Sequence, residues 1–299
     1  NIRDIILIYY HKGNFFIKRI TLFLYSDLYI RSPNSFNVKL LRRIMLIFWR
    51  IWFYILCAIP VLVIFPFAPI IFFLSRGYDI LYWYARNIWA SFVLVGMGFR
   101  IRKSLETKLN ENQSYLLVAN HTSYIDPMVM LRLFKKPFVF VGKKELNIIP
   151  IFGYLYRRAA IMVDRSDKVS RFQVYGQASE KLNKGYSVCI FPEKKYTVES
   201  NLLNEFKHGA FKLAIEHQLP IVPIVFYDCK RKFPWYVTHG YPGELRASIF
   251  EPISTKNLKS QDFEKIMNQT RSFIEDKLIK DPKKSAINAI KVWERITKK

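Results

Sequence analysis

A histidine followed after four intervening residues by an aspartate, in Asn120-His121-Thr122-Ser123-Tyr124-Ile125-Asp126-Pro127, is the arrangement in this chain best suited to moving a proton. One tight turn brings the Asp126 carboxylate to one imidazole nitrogen of His121. That bond orients the ring and leaves the other nitrogen as a base toward a hydroxyl. A base of this kind activates a hydroxyl without the need for a covalent serine intermediate. In isolation such a pair is more often a chance surface feature, so its weight depends on what surrounds it.

The surroundings are ordered. The pair follows the apolar run Tyr115–Ala119 and precedes a helical pattern, Pro127–Phe134, which places it at the carboxyl end of a strand, where α/β folds bind ligands. Further strands are expected at Phe138–Gly142, Ala159–Val163, Ser187–Phe191, Ile221–Tyr227 and Leu245–Phe250. Helices are expected at Ile149–Tyr156, Lys168–Asn183, with Ser166 and Asp167 as its caps, and Phe206–His217. Strands spaced by helices predict an α/β domain with a mostly parallel sheet flanked by helices.

His121-x4-Asp126 in this setting resembles the glycerolipid acyltransferases that act on 1-acyl-glycerol-3-phosphate and other lysophospholipids. Three further blocks carry the resemblance, in order: Ala159-Ala160-Ile161-Met162-Val163-Asp164-Arg165-Ser166, Cys189-Ile190-Phe191-Pro192-Glu193, and Leu219-Pro220-Ile221-Val222-Pro223. Two stretches support them, Val141-Gly142-Lys143-Lys144-Glu145-Leu146 and Phe206-Lys207-His208-Gly209-Ala210-Phe211, and the likeness runs from about Leu41 to Lys280. It implies His121 as base and Asp126 as its orienting carboxylate. Arg165 and Glu193 would hold the headgroup of the acceptor, and Lys143 would stabilise the oxyanion. The family reads Gly-Thr-Arg after its Phe-Pro-Glu, whereas this chain has Lys194-Lys195-Tyr196. The bidentate guanidinium is therefore lost there, and Lys194 or Lys195 would supply a point charge to phosphate instead. The implied donor is acyl-CoA or acyl-carrier protein, and no metal or tightly bound cofactor is implied.

Composition agrees with a lipid substrate. Of 299 residues 51% are hydrophobic, and 47 Lys plus Arg against 23 Asp plus Glu leave a net charge of +24, which calls for anionic partners. The apolar content favours an anionic membrane surface over nucleic acid, for which no recognised motif appears. Ile51 to Leu74 carries no charge and is long enough to cross a bilayer, although Pro60, Pro66 and Pro69 break or kink a helix. With Ile80 to Phe99 it reads as an N-terminal membrane-embedded helical hairpin, flanked by Arg42, Arg43, Arg100, Arg102 and Lys103 on what should be the cytoplasmic face, as of a cell inner membrane. The expected organisation is a basic and apolar extension (1–40), the hairpin (41–99), an acyltransferase domain (100–280) and a basic tail (281–299). Cys57, Cys189 and Cys229 have no metal or disulfide spacing and read as reduced thiols. The alternatives are an acyltransferase for another lysophospholipid or lyso-amino-lipid and, because the third block is eroded, a non-catalytic membrane-binding relative.

Overall fold

The computed structural model describes residues 36–163, 168–193 and 195–297, and side chains from 40–163, 174–193 and 195–297. Most of the expected N-terminal extension, the caps Ser166 and Asp167, and the candidate residues Arg165 and Lys194 lie outside the described residues.

Seven strands form one sheet: β1 (Phe99–Leu105), β2 (Leu116–Ala119), β3 (Phe138–Lys143), β4 (Ala160–Val163), β5 (Ser187–Ile190), β6 (Ile221–Phe226) and β7 (Gly243–Ile249). Their order is β1-β7-β6-β2-β5-β3-β4. Every pairing is parallel except β6 with β7, where Ile224 faces Ile249 in antiparallel register. The central strands β2 and β6 are buried at every position, which explains their uninterrupted apolar sequences. All six expected strands are present, with ends moved by one or two residues.

β1 was not expected. Its sequence alternates Arg and Lys with apolar residues, which suggested a basic flank, yet it pairs with β7 over seven residues, Phe99 with Gly243 to Leu105 with Ile249. Most of the strand is exposed, and charged side chains of this kind blunt a sheet edge. The tail also differs from its reading as an undetermined basic end: Ser285–Thr297 is a helix with Ser285, Ala286 and Ala289 buried. Asp281 anchors it. Its carboxylate accepts from the Ser285 N–H (2.9 Å) and from both Nη atoms of Arg246 (2.6 and 2.9 Å), while Arg246 also grips Asp228 at the end of β6.

The first described helix, α1 (Phe36–Ile64), continues through a short 3₁₀ turn into Ala68–Phe73. Pro60 sits inside α1, whereas Pro66 and Pro69 open the two short segments, where a missing N–H costs little. Leu40–Phe73 is the one stretch among the described residues long and apolar enough to cross a membrane. The expected second arm is instead two short helices, α2 (Gly77–Tyr84) and α3 (Ala90–Gly96), joined by a π-helical turn over Ala85–Trp89. In that turn Arg86 Nε donates to the Phe134 carbonyl (2.7 Å).

These pieces pack into the α/β domain. Phe53 and Leu56 of α1, and Tyr82, Val93 and Leu94 of the second arm, share one apolar cluster with Leu117, Ile125 and Met128. Aromatic donors stitch the two arms: Tyr84 to the Pro60 carbonyl (2.7 Å), Trp89 to that of Cys57 (3.0 Å), and Trp52 to that of Gly96 (3.1 Å). Gly96 is required by this approach, since a Cβ there would lie 2.6 Å from a Leu56 methyl. The opposite face of α1 is apolar and exposed, including Ile44, Phe48, Ile51, Ile55, Ile59 and Leu62.

Candidate active site

The site forms where β2, β5 and β6 end. β2 lies between the other two in parallel register, so the loops after Ala119, Ile190 and Phe226 emerge along one edge. Asn120 prolongs the β2–β6 ladder with its side chain: Nδ2 donates to the Phe226 carbonyl (3.0 Å) and Oδ1 accepts from the Phe226 N–H (2.8 Å). The chain then turns. Asp126 closes that turn as the first residue of α4 (Asp126–Leu133), where a carboxylate also suits the helix dipole.

Asp126 is fully buried, and its Oδ2 accepts three bonds: from the Thr122 N–H (2.6 Å), from the Ser123 N–H (2.8 Å), and at 3.0 Å from His121 Nδ1. The expected pairing of His121 with Asp126 is therefore present. With Nδ1–H committed to the carboxylate, Nε2 is the nitrogen that can take a proton, and the side chain keeps 17% of its surface exposed.

Glu193 has a different setting from that implied by the resemblance. It is 3% exposed, and both carboxylate oxygens are engaged within the protein. Oε1 accepts from the His121 N–H (2.7 Å), while Oε2 accepts from the Thr197 hydroxyl (2.6 Å) and the Asn204 N–H (2.9 Å). Thr197 completes the clamp, donating its N–H to the His121 carbonyl (2.7 Å). The main chain of His121 is thus held on both sides by the loop after β5. Burial pushes the Glu193 carboxyl up to about 7, against the opposing pull of its Thr197, Asn204 and His121 donors. Lys230, also buried, braces the same loop through the carbonyls of Val198 (2.9 Å) and Asn201, and burial lowers it to about 8.

Lys143 is the exposed last residue of β3. Phe140, three residues earlier, stacks on Phe191 at 6.2 Å, whereas Lys143 alternates to the opposite face of the strand, with Val139 and Val141.

Two aromatic residues complete the site, and the order of motifs alone did not assign them a role. Phe191 stacks on the His121 imidazole at 4.1 Å with 12° between planes, and Tyr196 covers it at 4.2 Å and 40°. Tyr196 is itself backed by Tyr124 (5.1 Å) and Trp235 (6.2 Å). An imidazole that gains a proton between two ring faces gains electrostatic support, on the order of 0.5–2 kcal/mol. The signal was the departure at Lys194-Lys195-Tyr196, where an aromatic residue stands in place of the family's arginine. Tyr196→Ala should lower kcat about 10-fold, the scale of one lost aromatic pair. Tyr196→Phe should stay within about two-fold, because it is the ring that holds His121. Equal losses in steady-state assays of both variants would assign the effect to the hydroxyl.

A mostly parallel seven-stranded sheet with a His–Asp pair where its strands end, the carboxylate buried, defines the domain as α/β. Residues 100–227 match the family model described as Acyltransferase. Among the curated relatives, the 1-acyl-sn-glycerol-3-phosphate acyltransferase of Escherichia coli (strain K12) is 28% identical over 190 residues, covering 62% of this chain and 74% of that protein. The beta enzyme of the same name from Homo sapiens is 29% identical over 175 residues, covering 56% and 60%. The enzyme of that name from Saccharomyces cerevisiae is 30% identical over 179 residues and covers 58% of each chain, so the chain spans only part of the length of its relatives. The crystal structure of PlsC, the 1-acyl-sn-glycerophosphate acyltransferase from Thermotoga maritima, superposes with a TM-score of 0.64 over 80% of this chain and 95% of that one. At 18% identity this likeness speaks for the fold.

Proposed function

We propose that this chain is a membrane-bound O-acyltransferase that moves a fatty acyl group from a thioester, acyl-CoA or acyl-carrier protein, to the free hydroxyl of 1-acyl-glycerol-3-phosphate, forming phosphatidate. The observation that carries the proposal is the 3.0 Å contact between His121 Nδ1 and a fully buried Asp126, within the residues that match the Acyltransferase family model. Relatives named for that reaction support the choice of acceptor.

His121 Nε2 takes the hydroxyl proton as the acceptor oxygen attacks the thioester carbonyl. The C–O bond forms, the carbonyl electrons move to oxygen, and the tetrahedral adduct then collapses, breaking the C–S bond. The imidazolium returns its proton to the leaving thiolate, so the products are an ester and a free thiol. General-base help contributes ~10²–10⁴-fold, and positioning and charge stabilisation supply the rest. In this reading Lys143 contributes its charge from the end of β3, while Arg165 and Lys194 receive the acceptor phosphate. Glu193 acts one step back, by fixing the His121 backbone. These steps require neither metal nor cofactor.

The exposed apolar face of α1, together with Trp83, Phe92 and Val95 of the second arm, supports seating in a bilayer. The basic residues around these helices favour a cytoplasmic position on a cell inner membrane. The acceptor and the product then both stay in the membrane, which avoids extracting an acyl chain at ~0.8 kcal/mol per CH₂. The test is a panel of lysolipids offered to membranes with labelled acyl-CoA or acyl-carrier protein. Labelled phosphatidate is the expected product. Acylation of a different lysolipid with lysophosphatidate ignored would replace the acceptor assignment.

A further inference from the structure

The crossover from β3 to β4, residues 144–159, turns three large apolar side chains outward: Leu146, Ile148 and Ile149. Ile148 keeps 82% of its surface exposed. A turn with no further role would carry polar residues at these positions.

The backbone that displays them is tightly fixed. Ile151 adopts φ 63°, a conformation that a β-branched residue rarely takes. The Gly153 N–H donates to the Ile149 carbonyl (2.7 Å), and a Cβ at Gly153 would collide with the Asn147 carbonyl. Arg157 Nη1 donates to Asn147 Oδ1 (2.6 Å), which ties the turn to the helix Phe152–Ala159. Strain of this kind persists only where the surroundings fix it, and here it holds apolar side chains out of the core.

The neighbours of the turn indicate what it meets. The helix Phe152–Ala159 crosses the same face of the sheet as the two arms, because Tyr156 occupies the space beside Gly142, on the side shared with Phe138 and Phe140. The Tyr154 ring meets Phe65 at 5.9 Å and Phe72 at 5.8 Å, and the Arg158 guanidinium lies over both Phe72 (4.8 Å) and Tyr154 (4.3 Å). Phe65 and Phe72 belong to the far end of the apolar stretch Leu40–Phe73, where Phe67, Ile70 and Phe73 are exposed. The turn therefore adjoins that end. Lys144, Arg157 and Arg158 accompany it against one carboxylate, Glu145, and all three cations are exposed.

We propose that Leu146, Ile148 and Ile149 form a second membrane contact, made by the α/β domain itself, which enters the headgroup–acyl boundary of an anionic bilayer beside Phe67, Ile70 and Phe73. An apolar tip with cations around it suits that boundary. A bilayer fits better than an acidic protein because the tip continues onto a stretch long enough to cross one. The contact bears on the reaction. β3 runs parallel to β5, so the turn leaves the sheet at the same edge as the loop whose Glu193 holds the His121 N–H. With α1 and the turn both seated, that edge meets the surface where a lysolipid hydroxyl lies.

The inference rests on the membrane reading of α1, so the experiment separates the two. In a Cys57→Ala background, where Cys189 and Cys229 are buried, a fluorophore is attached at Ile148→Cys, Ile55→Cys or Lys265→Cys. Ile55 is exposed on α1, and Lys265 is exposed on the helix Phe263–Ile279, which packs on the other face of the sheet. The full chain is reconstituted in phosphatidylcholine–phosphatidylglycerol vesicles with nitroxide on the acyl chains, and iodide serves as the aqueous quencher. Labels at Ile148→Cys and Ile55→Cys should be quenched by the nitroxide lipid and shielded from iodide about 5-fold relative to Lys265→Cys. Nitroxide quenching at Ile55→Cys, with Ile148→Cys behaving like Lys265→Cys, overturns the second contact and leaves α1 in the membrane. Absence of nitroxide quenching at both positions sinks the membrane reading as well. A label at Ile148→Cys shielded by acyl-carrier protein but not by vesicles assigns the turn to a protein partner, and that too overturns the contact.

Discussion

Asp126→Asn should lower kcat by about 10²–10⁴-fold and leave KM for the thioester nearly unchanged. All three bonds fall on one oxygen, Asp126 Oδ2, so an asparagine oxygen can accept them, but it carries no charge to stabilise the imidazolium that forms on His121. An asparagine that keeps its oxygen toward Thr122 and Ser123 turns its NH₂ away from them. One that presents NH₂ to Nδ1 selects the wrong tautomer and leaves Nε2 protonated, unable to act as base. His121→Ala should cost as much, and the double variant should cost little more than either single change, because the two residues act as one unit. Single-turnover acyl transfer with labelled thioester measures all three. Independent, multiplying losses would mean that Asp126 serves only the fold, and wild-type rates in His121→Ala would favour a non-catalytic relative.

The second large effect belongs to Glu193. Glutamine in its place has one acceptor for three donors on two oxygens, and its NH₂ must face an N–H or O–H on one side. An unmet buried donor costs about 1–3 kcal/mol. Transmitted to the position of His121, this predicts kcat reduced about 10- to 100-fold. Stability provides an independent readout. Between its ordinary 4.5 and about 7, folded Glu193 retains a proton that the unfolded chain has released. The folded state binds more protons across that window, so stability contributed by this group is complete below pH 4.5 and is lost as pH rises through about 7. A displacement of that size corresponds to roughly 3 kcal/mol. Melting curves from pH 4.5 to 8 should therefore flatten in Glu193→Gln relative to wild type. Parallel curves would place the titration elsewhere.

Much of the α/β scaffold was legible in the sequence because each central strand is a short apolar run bounded by turns or helices. His121 and Asp126 were legible because both lie within one turn, where spacing determines contact. Non-local relations were not. β1 requires the partner strand β7, more than a hundred residues away, and nothing in Phe99–Leu105 announces that pairing. Glu193 reads as a ligand-facing acid in a motif, while its burial depends on Thr197 and Asn204 folding over it. Tyr196 shows as a lost arginine, but its stacking on His121 is a product of packing. Arg50 reads as an interruption in an apolar segment, and only the docking of α1 reveals that it faces inward.

The sharing of Phe53 and Leu56 with the cluster that contains Ile125 and Met128 sets a limit on engineering. Truncating the chain before Arg100 to obtain a soluble catalytic fragment would strip one wall from the interior that supports the His121 turn. The excised piece should precipitate or recover order only when the missing helices are supplied as a separate polypeptide. The apolar helices and the turn that carries His121 are, in this architecture, one inseparable body.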